Sequence, residues 1–326
     1  MSKEKLTVVY HDDYLNWLLG PGDGSHPTNP IRAKLATEML VEQLGDDVEV
    51  IAPCSDSTED ADLAIMKETH SEDYVVEVLG GISSQWNGTK PIMGETAFKM
   101  FRGTIRAVEK ILSGVSKVVF NPQGAKHHAK TSAASGFCVF NDMAYAAKAF
   151  QNAGLRPLYL DWDIHAGDGV AHMLRGSGVP CISIHNGSTY PTDSWLQNFG
   201  TGEHHHPKEL NYNFNLRRGA GDDELKEAID GARAIIDAYQ PDVILLAAGA
   251  DGHFGPSNLA ELAKFTEVGF THAANMVAEM ALKHSNGRVL IGGAGGYQPL
   301  KETPETWALV VSTIYNQIRK GLVQNG

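Results

Sequence analysis

Along this chain, short runs of consecutive apolar residues alternate with longer stretches in which apolar residues return every three or four positions. The short runs read as strands buried on both faces and the longer stretches as amphipathic helices. Strands are predicted over Leu6–Tyr10, Val48–Ala52, Lys117–Asn121, Pro157–Asp161, Cys181–His185, Val243–Ala247 and Arg288–Gly292. Helices are predicted over Asn29–Leu44, Tyr74–Leu79, Ala97–Leu112, Asp142–Ala153, Val170–Leu174, Asp222–Tyr239, Leu259–His284 and Pro304–Lys320. Gly187–Arg218, rich in Asn, Gly, Thr and His, reads as a long loop beside a site. Within it, the run His204–His206 reads as solvated surface. Such alternation implies an α/β fold with a parallel sheet covered by helices on both faces. There is no internal repeat, low-complexity tract or linker-like shift, so residues 1–326 are expected to form a single domain.

Composition narrows the function classes. Hydrophobic residues make up 42% and charged residues 20% of the 326 positions, enough for a large buried core. The formal net charge of −12 argues against holding nucleic acid through phosphates and suits a cationic or amine-bearing substrate. The three cysteines, Cys54, Cys138 and Cys181, show no paired spacing and fit a reducing cytosol. Met1–Tyr10 lacks an apolar run of signal-peptide length, and no stretch reaches the length of a membrane span. A cytoplasmic protein with no membrane partner is expected. Monomer and homo-oligomer fit the sequence equally.

The chemistry gathers where parallel strands end. Ligands bind outside the carboxyl ends of such strands. Four polar clusters stand there: Asn121–His128, Asp161–Gly169, Ala248–His253 and Gly292–Tyr297. Each alone is a weak signal, since an Asp after a strand is often a helix cap and a Gly run is usually a turn. Together, on one edge of one sheet, they point to a site.

Asp163 and His165 lie two apart, so an extended stretch turns both side chains the same way, with Asp161 alongside if the strand continues. Adding Asp251 gives two carboxylates and one imidazole, a three-ligand metal site with open positions, the mark of a catalytic centre. Zinc suits mixed nitrogen and oxygen ligands, and ferrous iron fits the same set. Two carboxylates neutralise a divalent ion and weaken its pull on a bound water, so a base is needed. The pair His127–His128 can supply it, with Asp161 and Asp168 available to orient the rings. Tyr297, on a Gly-rich turn, can donate to a developing oxyanion.

At this point the residues resemble a known family. His26-Pro-x-x-Pro-x-Arg32, His70-x-x-x-Tyr74, His127-His128-Ala129, Ser135-Gly136-Phe137-Cys138 with Asn141-Asp142, Asp161-x-Asp163-x-His165-x-Gly-Asp168-Gly169, Gly249-Ala250-Asp251 and Gly295-Gly296-Tyr297 look like the ordered signature of the histone deacetylase superfamily. That group includes acetoin-utilisation-type proteins and acetylpolyamine amidohydrolases. The matches span about residues 26 to 297.

The resemblance implies an arginase–deacetylase fold, a parallel eight-stranded sheet between helix layers. It implies a zinc-dependent amidohydrolase that removes an acetyl or other short acyl group from an acylated amine of the acetyl-lysine or acetylpolyamine type. Zinc would be held by Asp163, His165 and Asp251. His128 would be the general base and acid backed by Asp168, His127 its electrostatic partner backed by Asp161, and Tyr297 would polarise the carbonyl. Phe137 and Tyr190 would wall the substrate channel, Gly136 would face it, and Arg32 would line an internal cavity near the departing acetate. A structural potassium ion would sit on main-chain oxygens of Asp161, Asp163, His165 and Ile184 and on side chains including that of Ser183.

Some positions depart from the family pattern. Ala166 stands where a His is usual, and Ala125-Lys126 replaces the usual Pro-Gly before the His pair, which puts a cation at the mouth. The Asp that grips a peptide backbone is replaced near Thr89-Lys90-Pro91, and Thr192–Glu203 is an insertion at the entrance. The replacement of that Asp favours a small or unusual substrate over a peptide, whereas Ala166 is expected to do little harm. The other readings are a deacylase of a longer acyl group or an ester, an arginase-like guanidino hydrolase (which would need a second metal), and a catalytically silent binding module.

Overall fold

The computed structural model describes residues 4–19, 25–54, 58–82, 91–188, 205–255 and 262–325. In chain order the elements are β1 (Leu6–Val9), α1 (Ile31–Leu44), β2 (Val48–Ile51), α2 (Glu59–Thr69), α3 (Glu72–Leu79), α4 (Pro91–Leu112), β3 (Val118–Asn121), α5 (Asp142–Asn152), β4 (Pro157–Asp161), α6 (Asp168–Met173), β5 (Cys181–His185), β6 (Asn211–Asn215), α7 (Asp222–Tyr239), β7 (Val243–Ala247), α8 (Glu267–His284), β8 (Val289–Gly292) and α9 (Glu302–Asn325). The strands form one eight-stranded sheet in the order β2-β1-β3-β8-β7-β4-β5-β6, and every pairing is parallel. The expected α/β architecture with eight parallel strands is what the chain adopts.

Alternation along each strand builds two cores. Leu158 and Leu160 of β4 face one apolar layer with Ile244 and Leu246 of β7, where α1, α7, α8 and α9 contribute Leu40, Ile229, Phe270 and Trp307. Tyr159 of β4 faces the opposite layer with Leu245 and Leu290, covered by Ala107 and Ile111 of α4, Phe150 of α5 and Val170 of α6. The central strands are buried along their whole length, while β2 and β6, at the edges, keep exposed positions. A parallel sheet needs cover on both faces, and continuous apolar runs are the sequence form of that need.

Four elements differ clearly from the expectation, and one of them, α4, simply starts six residues earlier, at Pro91 rather than Ala97. β6 lies inside the stretch read as loop; its sequence NYNFN alternates, and Tyr212 and Phe214 pack on the core while the Asn residues mask the pattern. α2 was not foreseen, because an ion pair rather than an apolar stripe anchors it: buried Asp62 faces Arg102 Nε at 2.7 Å and Arg106 Nη2 at 2.5 Å. α8 starts at Glu267, not at Leu259, because Thr266 caps it by accepting from Val268 N at 3.2 Å. Apolar Leu262, Ala263 and Phe265, which mimic a helical stripe, instead run extended: Leu262 and Ala263 lie beside residues 219–220, and Phe265 beside residues 252–254, with Phe265 N donating to Gly252 O at 3.0 Å.

A buried histidine ties the outer helices to the sheet edge that carries the site. His70, before α3, accepts from Asn141 N on Nε2 at 2.9 Å and turns Nδ1 to the carbonyls of Lys130 and Thr131 at 3.1 and 3.2 Å. Both contacts require the neutral ring with its proton on Nδ1. Burial pushes His70 down to about 4, against the pull of those carbonyls. An unfolded histidine takes its proton near pH ~6.5, so the contribution of His70 is present above that value and is lost as pH falls towards the folded value. The stability cost of His70→Gln should therefore shrink by about 2 kcal/mol between about pH 7 and about pH 5, measured by urea unfolding. A cost that does not change over that interval would contradict the neutral lock.

Candidate metal centre and catalytic cavity

β3, β8, β7 and β4 are consecutive in the sheet, so the loops leaving their carboxyl ends converge on one point. These loops carry the four polar clusters. β4 ends at Asp161 and the chain then turns out of the sheet, so the strand does not continue to His165. As a result Asp161 does not join Asp163 and His165. It points to His127 instead, and its Oδ1 accepts the Asp163 N–H at 2.9 Å.

Asp163, His165 and Asp251 do meet. One ligand atom from each lies within 4.8 Å of the others, and all three residues are buried. His165 Nδ1 stands 3.0 Å from Asp163 Oδ1 and 2.9 Å from Asp251 Oδ2. Backbone donors hold the carboxylates still: Ile164 N to Asp251 Oδ1 at 3.0 Å, His165 N to Asp163 Oδ1 at 2.9 Å, and Gly295 N to Asp163 Oδ2 at 2.6 Å. Gly295 must lack a side chain, because a Cβ there would stand 2.6 Å from Asp251 Oδ2 and nearer still to Asp163 Oδ2.

Electrostatics shows what the cluster asks for. Burial and the Asp163 carboxylate push Asp251 up, as expected where two like charges share a dry site. Burial alone would push His165 down, yet the two carboxylates outweigh it and hold the imidazolium up to about 10. The pull of the two carboxylates shows that positive charge is favoured at the point where the three ligand atoms converge. The donor set (two carboxylate oxygens and one imidazole nitrogen, rigidly backed) fits a divalent cation of the zinc or ferrous type.

The imidazole pair stands beside this centre, with ring centroids 4.0 Å apart. His127 Nδ1 meets Asp161 Oδ2 at 2.8 Å, and Tyr159, not singled out in the sequence, donates to the same oxygen at 2.6 Å. Its spacing of two from Asp161 on a strand was the available signal, since it places both on one face. His128 Nδ1 meets Asp168 Oδ1 at 2.7 Å. The two rings are driven apart in charge. Burial opposes the charged form of His127, but Asp161 and Asp163 hold it up to about 9. Burial and the charge on His127 push His128 down to about 4, against Asp168.

His127, His128 and Asp163 line one cavity with Trp17, Arg32, Gly136, Phe137, Cys138 and Tyr297. The Phe137 ring is 50% exposed and rests edge-on against His26 at 4.9 Å. Gly136, at φ +50°, packs where a Cβ would be 2.8 Å from His128 Cγ and closer to Cδ2. Three residues other than Gly that line the cavity, Ala125, Phe137 and Ala294, have positive φ of 59°, 63° and 58°. Such conformations cost energy and gather where surrounding structure imposes them. Arg32 is buried, donates to the Gly296 carbonyl, and lies over the Trp307 ring at 5.0 Å. Tyr297 and His128 both stand edge-on to the His165 ring, each at 6.2 Å. Burial, with Asp251 and Asp163 adding, holds the Tyr297 hydroxyl well above the usual phenol range, so it remains a donor.

Ser183 and Ile184 are buried on β5, where Ser183 pairs with Asp161 in register and its Oγ meets His185 Nδ1 at 2.9 Å. Tyr190 and the insertion Thr192–Glu203 lie outside the described residues, as do Thr89 and Lys90. Gly295→Ala should lower zinc affinity by about 100-fold or more, read by competition with a chelating dye, because the added methyl displaces both carboxylates. Affinity unchanged by the methyl would contradict the convergence described.

Comparison with known proteins gives the same family as the motifs. A profile of the histone deacetylase domain matches residues 26–314. The chain is 31% identical over 324 residues to the acetoin utilization protein AcuC of Bacillus subtilis, covering 93% of this chain and 80% of the relative. It is 29% identical over 313 residues to a probable deacetylase of Archaeoglobus fulgidus, covering 92% and 83%. It is 28% identical over 274 residues to histone deacetylase 1 of Bos taurus, covering 78% of this chain and 54% of that one. The chain belongs to the histone deacetylase family and is a hydrolytic deacetylase.

Proposed function

We propose that the chain is a zinc-dependent amidohydrolase that frees a primary amine from a short acyl group, with a small cationic amine of the acetylpolyamine or acetyl-lysine type as substrate. The observation that carries this is the placement of His128 and Tyr297 around the Asp163–His165–Asp251 centre, both edge-on to His165 at 6.2 Å. A proton-transfer group and an oxyanion donor thus share one cavity with Asp163 of the metal-ligand set, as hydrolysis of an amide requires.

A zinc ion held by Asp163, His165 and Asp251 would polarise the amide carbonyl and acidify the attacking water. The chain's own residues do the rest. Asp168 holds the Nδ1 proton of His128, which makes Nε2 the proton acceptor. His128, neutral near pH ~7, takes a proton from the water and gives it to the leaving amine. His127, kept charged by Asp161, adds positive potential beside the developing negative charge. The Tyr297 hydroxyl donates to the former carbonyl oxygen. Phe137 gives the acyl-amine stem an apolar wall at the mouth, with Gly136 leaving room beside His128.

Supporting elements follow. A potassium ion held by main-chain oxygens of Asp161, Asp163, His165 and Ile184 and by Ser183 would brace the loop after β4 against β5. The net charge of −12 favours a cationic amine over nucleic acid. The three cysteines are free, which fits a cytoplasmic setting, and no described helix is long and apolar enough to cross a membrane. One sheet carries all four site loops, which supports reading residues 1–326 as one domain.

Zinc-loaded protein should release acetate from acetylpolyamine and acetyl-lysine reporters. Tyr297→Phe should lower kcat by about 100- to 1,000-fold while zinc content stays at one per chain. Wild-type protein that binds zinc yet hydrolyses no acyl-amide would overturn the reading, and unaltered turnover in the Tyr297 variant would remove the oxyanion role.

A further inference from the structure

Behind His128, one oxygen of its carboxylate partner is buried without a hydrogen-bond donor. Asp168 Oδ1 meets His128 Nδ1 at 2.7 Å, whereas Asp168 Oδ2 has no such partner. The Lys130 ammonium stands 3.6 Å from Oδ2. The Asp168 side chain is 1% exposed and that of Lys130 31%, so the lysine reaches in from the surface. Neither residue lines the cavity that holds Phe137 and Tyr297.

The main chain fixes this approach from both sides. Lys130 N donates to Ala133 O at 2.9 Å, and the carbonyls of Lys130 and Thr131 are the two that His70 Nδ1 faces. Ala129 O accepts from Asn141 Nδ2 at 2.8 Å. Asp168 opens α6, and the segment that carries Lys130 presses on that end of the helix. Val170 N donates to His127 O at 3.0 Å, and a Cβ on Gly169 would stand 2.6 Å from the same oxygen. His172, one turn further along α6, does not supply the charge. Burial, and then the Lys130 ammonium, push its imidazole down, so it is neutral near pH ~7.

A buried carboxylate with an unfilled oxygen is costly, and it can relieve the cost in two ways that would harm proton transfer. It can take the Nδ1 proton from His128, or it can rotate and exchange its oxygens. Either change disturbs the tautomer in which Nε2 is the proton acceptor. A cation beside Oδ2 favours the ionised carboxylate and fixes which oxygen faces the ring. At 3.6 Å the contact is an ion pair and not a hydrogen bond, so it holds the charge without drawing the carboxylate away from His128.

We propose that Lys130 is a positioning residue for the proton transfer: through Asp168 it holds His128 in the tautomer and orientation that present Nε2 to the reacting centre. The inference rests on the role given to His128 above. Lys130 lies behind the pair and outside the cavity, so it acts on turnover through Asp168 and leaves substrate binding alone.

The test uses zinc-loaded full-length protein and an acetyl-lysine reporter. Lys130→Met should lower kcat about tenfold or more with KM within about twofold and zinc content unchanged, and Lys130→Arg should bring kcat back to within about threefold of wild type. In an Asp168→Asn background, Lys130→Met should cost no more than about twofold further, because the charge that the lysine answers is gone. A loss of equal size in both backgrounds, a loss that falls on KM, or one that Lys130→Arg does not restore would overturn the positioning role. A second readout is the Nδ1–H proton resonance that His128→Ala removes from 15N-histidine-labelled protein. Lys130→Met should shift it and Lys130→Arg should leave it in place; a resonance indifferent to Lys130→Met would count against the role whatever the activity. A resonance that answers to Lys130 in a protein that hydrolyses no acyl-amide would refute the deacylase reading and keep the link from Lys130 to His128.

Discussion

Asp163 and Asp251 place two carboxylates side by side with almost no contact with water. At about 4 Å and an effective dielectric of about 20, two like charges repel by about 4 kcal/mol, and burial adds to the cost. A cation between the carboxylates relieves this repulsion. His165 brings its Nδ1 to that point, where an imidazole nitrogen can join the two carboxylate oxygens around a divalent cation. The backbone donors at Ile164, His165 and Gly295 and the bare Cα of Gly295 keep the carboxylates from turning away. The rest of the site is arranged around this enforced repulsion.

The sheet order explains why residues far apart in sequence can be held so. β3, β8, β7 and β4 lie side by side, buried on both faces, and each delivers one loop to the same edge. The same charge field separates the two neighbouring imidazoles. His127 lies near Asp161 and Asp163 and stays charged, and that charge helps keep His128 neutral. Two adjacent residues of one type thus take two roles through their partners alone.

Much of this was legible in the sequence because its signals were local. Short apolar runs such as VILLA, bounded by turn signals, read as buried parallel strands, and Asp163, His165 and Asp251 stand just past strand ends. What was not legible depends on partners distant in sequence. The helix α2 is held by Asp62 with Arg102 and Arg106, some forty residues away, so its own apolar pattern says little. β6 exists because β5 offers it an edge, and its Asn residues hide Tyr212 and Phe214. The turn of Asp161 away from the metal centre followed from the strand ending there.

The most direct measurement is X-ray absorption at the zinc edge of metal-loaded protein, with anomalous diffraction to place the ion. The account predicts one zinc per chain, with a nitrogen from His165 and carboxylate oxygens from Asp163 and Asp251 at about 2.0–2.2 Å. Zinc bound elsewhere, or a shell that lacks any of the three, would contradict it.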